Sequence, residues 1–122
     1  MTIGIALLLA GLMGAGGVAL AAAAAHAAPG AGLESAAYML LFHAAAVVAG
    51  SALLDRDVAW RPALLLATFG WIIGAALFSG DISLRAFTGN RLFPMAAPMG
   101  GTVLILAWVC LSVAAIGGFM KR

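Results

Sequence analysis

Hydrophobic residues run through this chain in four long blocks, and charge enters only between them. Glu34 is the first charged residue, Asp55, Arg56, Asp57 and Arg61 form a cluster, Asp81, Arg85 and Arg91 follow, and Lys121 and Arg122 close the sequence. The uncharged runs are 1–33, 35–54, 62–80 and 92–120. Each can hold the roughly 20 mainly apolar residues that a helix needs to cross a hydrocarbon core. With no water in that core, a spanning segment must satisfy its backbone polar groups internally, so the runs predict helices.

The first span is expected over about Thr2 to Ala25, ended by Pro29-Gly30-Ala31-Gly32, whose composition favours a turn. So short a connection makes helices one and two an antiparallel hairpin. The second span, about Glu34 to Leu54, starts on a carboxylate suited to the positive end of the helix dipole. Trp60-Arg61-Pro62 then offers an interfacial indole and a proline fit for the first turn of a third span, about Pro62 to Gly80. Residues 81–88 still read as helical, either prolonging span three or lying as a short helix along the interface. Leu92 to Gly101 carries Pro94, Pro98, Gly100 and Gly101 and is expected to be irregular, with span four from about Pro98 to Phe119. The predicted fold is an all-α integral membrane four-helix bundle with up-down connections, one domain over residues 1–122, with a short extra helix or irregular segment between spans three and four.

Composition supports this reading. The chain is 66% hydrophobic and 8% charged, too apolar to build a polar surface in water. The net charge of +2 does not point to nucleic acid, because the basic residues sit at span ends and form no stripe. They report topology instead. With both termini on one side, that side holds Arg56, Arg61, Lys121 and Arg122 and the other holds Arg85 and Arg91, which favours cytoplasmic termini. Ala25-His26-Ala27 has the small-x-small form of a signal cleavage site, but no basic residue precedes the apolar stretch and that stretch exceeds a typical h-region. A retained first span is expected. Cys110 is the single cysteine, so no disulfide forms within the chain, and it reads as a small apolar core residue.

Helices in a bilayer associate by close packing, which small residues permit. Ala6, Ala10 and Gly14 recur at four-residue spacing, Gly50 shares a face with Ala46 and His43, and Gly70-Trp71-Ile72-Ile73-Gly74 is a GxxxG. These positions serve either packing within the bundle or a seam between copies of the chain.

Candidate chemistry is sparse. His43 lies about 13 Å into span two, where an ionisable group faces the bundle interior and finds a partner. Its plain use is a neutral ring bonded to a carbonyl or hydroxyl; its sharper uses are proton handling, a ligand or a metal. His26, Glu34, Asp81 and Arg85 share one side of the membrane and are the other candidate polar residues. Asp81 and Arg85 are spaced as a solvated i,i+4 pair. No His or Glu pair has the spacing that puts two metal ligands on one helix face, and His26 and His43 differ in depth, which disfavours haem. No catalytic constellation, phosphate loop or dinucleotide fingerprint is present, so neither an enzyme nor a bound cofactor or metal is expected.

Gly16-Gly17-Val18-Ala19 through Ala25-His26-Ala27, Phe42-His43-Ala44, Leu77-Phe78-Ser79-Gly80-Asp81 and Ala97-Pro98-Met99-Gly100-Gly101 stand out as a series of landmarks. In that order they resemble the DUF423 family of small bacterial membrane proteins, whose eukaryotic relatives include the mitochondrial transmembrane protein 256. Where the family has a Gly-Ala-Phe-Gly-Ala-His pattern this chain is almost all alanine, and a Thr-Pro-x-Gly-Gly stretch here begins with Ala97. The resemblance implies four spans and a bacterial inner-membrane location and carries no established activity. Three functions remain open: an accessory subunit packed on a larger membrane complex, a small transporter or channel using His43, and a quinone, lipid or metal binder using His26, His43 and Glu34.

Overall fold

A computed structural model describes residues 1–121 as four helices: α1 (Thr2–His26), α2 (Leu33–Arg56), α3 (Arg61–Thr88) and α4 (Ala96–Met120). Arg122, counted in the charge balance above, lies outside the described residues. All four helices are long and apolar enough to span a membrane. They alternate in direction, so Met1, the α2–α3 connection and Lys121 gather at one end. Ile3, Leu54, Ala59, Leu64 and Ala114 pack together there, drawing on every helix.

The turns follow local chemistry. Gly30 and Gly32, both at φ +79°, reverse the chain between α1 and α2, a left-handed conformation that costs a residue with a Cβ but not glycine. Pro62 stands in the first turn of α3, where a missing N–H breaks no helical bond. Gly89, at φ +75°, ends α3 and donates its N–H to Arg85.

Two expectations about the third connection change. α3 continues without a break to Thr88, so residues 81–88 prolong span three and form no separate helix. At 28 residues it is about 42 Å long, more than the ~30 Å core, and its last turns reach the interface or beyond. The irregular stretch covers 89–95, not 92–101, and α4 begins at Ala96. Pro98 is the third residue of α4, where its absent N–H has no partner to lose. Gly100 and Gly101 are helical because one of them is needed for packing and not for a bend.

α2 and α3 are the central helices, burying nine and ten residues, whereas α1 buries four and α4 seven. α1 leans chiefly on α2, and α4 packs along α3. Among the described residues no backbone approach of α4 to α1 or α2 within 8 Å occurs. The α3–α4 seam is closest at Gly74 and Gly100: a Cβ on Gly100 would lie 2.6 Å from the Phe78 nitrogen and 2.7 Å from the Gly74 oxygen. Gly70 meets Ala107 on the same seam, so the GxxxG face is spent inside the chain. Gly50 takes the edge of Trp71 and the Thr68 hydroxyl of α3. Gly14 differs from expectation, having open space where its side chain would be; the tight contact of α1 is Gly17 against Leu41. The buried spacing Ala6, Ala10, Met13, Gly17 explains this, since Gly14 falls one position off that stripe.

Candidate functional site

The candidate site is the polar anomaly of the hydrocarbon core. His43 is ten residues into α2, about 15 Å along the helix, and is 6% exposed. Its Nδ1 lies 2.7 Å from the Met39 carbonyl oxygen one turn earlier. Its Nε2 lies 3.2 Å from Trp108 Nε1 on α4. These partners determine the proton's position. A carbonyl can only accept, so Nδ1 carries hydrogen; an indole N–H can only donate, so Nε2 presents its lone pair. The ring is therefore the neutral Nδ1–H tautomer with both nitrogens occupied. An imidazolium would set two N–H groups against each other at Trp108.

The bond joins two helices whose backbones stay apart, and it does so across a face of Trp71 from α3. The Trp71 and Trp108 ring centres are 4.7 Å apart at 51°, and those of His43 and Trp108 are 6.1 Å apart at 60°. Trp71 is 2% exposed, while Trp108 is 46% exposed. An aromatic pair of this kind contributes about 0.5–1.5 kcal/mol beyond area. An interhelical hydrogen bond in a membrane adds about 0.6 kcal/mol. Packing therefore holds the cluster more than the polar bond does. Nothing in the sequence singles out Trp108 as the group that completes the histidine; its mid-span depth, shared with Trp71, is the one hint.

The remaining candidates do not converge on His43. His26 is exposed at the end of α1. Glu34 is exposed and accepts a hydrogen bond from the Tyr38 hydroxyl at 3.0 Å. Asp81 overturns the expectation of a solvated pair. It is 1% exposed; Oδ1 accepts the Leu92 N–H at 3.0 Å, and Oδ2 lies 3.5 Å from Arg85 Nε. Burial follows from the return of segment 89–95 over the end of α3, which seals the carboxylate while Arg85 stays partly in solvent. Asp81 thus holds the third connection onto the bundle. Two residues earlier on α3, Ser79 donates to the Ala36 carbonyl of α2 at 2.8 Å, a second tie at the same end. Among the described residues, no three His, Cys, Asp or Glu side chains are grouped to hold a metal. Cys110 is half-buried, packs against the main core cluster and also borders an apolar groove.

The landmark segments fall on this architecture: Phe42-His43-Ala44 carries the occupied imidazole, Ser79 and Asp81 fasten one end, and Gly100 makes the closest helix approach. A family model described as "Protein of unknown function (DUF423)" matches residues 13–101. The chain belongs to the DUF423 family. The DUF423 match takes in His43, Trp71, Asp81 and Gly100 and ends before Trp108, so the acceptor side of His43 is completed from outside it. A UPF0382 membrane protein of Haemophilus influenzae is 36% identical over 84 residues, 67% of this chain and 61% of that relative. The chain spans about three-fifths of the length of that curated relative. No solved structure matches it. This DUF423 chain is a small integral membrane protein with four candidate spans.

Proposed function

We propose that this DUF423 protein is a non-catalytic accessory subunit of the bacterial inner membrane, with cytoplasmic termini, that packs against a larger membrane complex. The observation that carries this reading is the closed state of His43. A free ring nitrogen would favour a metal or a ligand at His43, and both nitrogens are engaged by Met39 and Trp108. Asp81, the buried carboxylate, is likewise engaged, by Leu92 and Arg85. The flanking position of α1 and α4, which bury few residues and turn long apolar faces outward, supports a role exercised through helix surfaces. Orientation is supported by Arg56, Arg61 and Lys121 at the terminal end against Arg85 and Arg91 at the other.

Purification of the tagged chain from native membranes in a mild detergent tests the proposal. A stoichiometric membrane-protein partner is the expected result; a lone monomer or homo-oligomer counts against it. The transporter reading is tested separately by flux into proteoliposomes. Flux that is present in the wild type and lost in His43→Ala would replace the accessory reading.

A further inference from the structure

Two open cavities lie along the outer side of the α3–α4 seam, of about 700 Å³ and about 430 Å³. The first runs from Pro62 along α3 to Ile73, and the second begins beside Trp60. On α4 their walls are Val103, Leu106, Cys110, Val113, Gly117 and Met120, spaced by three and four residues and therefore one continuous face. The two cavities share no lining residue but follow one another along this face, and the trough they mark out extends about 25 Å, from the seventeen residue steps between Val103 and Met120. Its depth comes from small residues on the seam: Gly70 against Ala107, and Gly117 against Trp60.

The trough has a polarity gradient. The upper cavity is lined by apolar side chains with Cys110, whereas the lower one has Lys121 and Trp60 in its lining. Arg61, next to Trp60, gives one N–H to the Leu54 carbonyl at 3.0 Å and keeps further donors. Arg56, Arg61 and Lys121 outnumber Asp55 and Asp57 at this end. The stretch from Lys121 up to Cys110 rises about 16 Å, the depth of one leaflet of a ~30 Å core. An apolar partner helix would find no use for a cationic mouth; a molecule with an anionic head and a long apolar tail matches both halves.

We propose that the α3–α4 trough is a binding site for an anionic phospholipid, with an acyl chain laid along α4 towards Cys110 and the phosphate held by Lys121 beside Trp60. The site rests on membrane insertion and not on the accessory role, so either can fail without the other. Cys110, the single cysteine, supplies the reporter. Maleimide alkylation is followed in micelles doped with phosphatidylglycerol or phosphatidylcholine, with native mass spectrometry of the same samples. Phosphatidylglycerol should slow alkylation more than phosphatidylcholine and remain bound in the mass spectrum. Lys121→Gln should reduce that preference about fivefold, the effect of one basic residue at a membrane surface. Arg91→Gln, at the opposite end, should leave it unchanged. Leu66→Trp, which fills the trough from α3, should abolish lipid retention with the charged mouth intact. Equal protection by the two lipids, indifference to Lys121→Gln, no lipid effect at all, or protection of Cys110 by a second protein chain would each overturn the proposal.

Discussion

Gly100→Ala tests the packing argument most directly, because Gly101 beside it is an internal control. A Cβ on Gly100 would lie 2.6 Å from the Phe78 nitrogen, and ordinary contact begins at 3.4 Å, so α4 must withdraw by about 0.8 Å. The obstructing atoms are backbone of α3 and cannot rotate aside. A gap of 0.5–1 Å forfeits a quarter to a half of each dispersion contact, and overpacking of this kind costs about 1–3 kcal/mol. A Cβ on Gly101 meets only Phe78 Cδ2, at 4.0 Å. Both substitutions gain the same helix propensity, about 1 kcal/mol for glycine to alanine, and that gain cancels in the comparison. Gly100→Ala should therefore be less stable than Gly101→Ala by about 1–3 kcal/mol. Equilibrium unfolding in mixed micelles, followed by far-UV circular dichroism at increasing denaturing detergent, measures the difference. Two variants within about 0.5 kcal/mol of each other would refute a backbone-limited seam at Gly74 and Gly100.

Three further outcomes follow from the polar contacts. A double-mutant cycle of His43→Phe and Trp108→Phe should give a coupling energy of about 0.5–2 kcal/mol, read from the same unfolding assay; additive single effects would remove the bond from consideration. Asp81→Asn keeps an acceptor for the Leu92 N–H and should be tolerated. Asp81→Leu strands that donor and should cost about 1–3 kcal/mol, with faster amide exchange across residues 89–95 as the local signature. Ser79→Ala loses the bond to the Ala36 carbonyl and should lower stability by about 0.6 kcal/mol, a value near zero meaning that water or another hydroxyl replaces it.

Much of the fold was legible because charge is so scarce. Each cluster of charges marks a connection, and hydrocarbon thickness sets the helix length between them. Legibility failed where a residue type has two uses. Pro98, Gly100 and Gly101 read as helix breakers, yet the first turn of a helix tolerates proline and a tight crossing requires glycine. Gly14 and Gly17 are equally small, and only the position of α2 selects Gly17. For the candidate site, depth alone made His43 conspicuous. Asp81 looked like half of a surface pair, since nothing local indicates that segment 89–95 folds back over it.

The linear order of apolar runs, turns and charges determined on its own that this is a four-span all-α membrane protein, with its ends gathered on one side. Those features depend on distances along the chain: the thickness of a bilayer, the rise of a helix and the length of a turn. Tertiary structure decided the partners of each polar group and each glycine. His43 is neutral and occupied because Trp108, sixty-five residues away, arrives at its free nitrogen. Asp81 is buried because a later segment covers it. Such pairings depend on how helices rotate and cross, and in lipid, where no hydrophobic force draws helices together, that choice belongs to side-chain shape and a few hydrogen bonds.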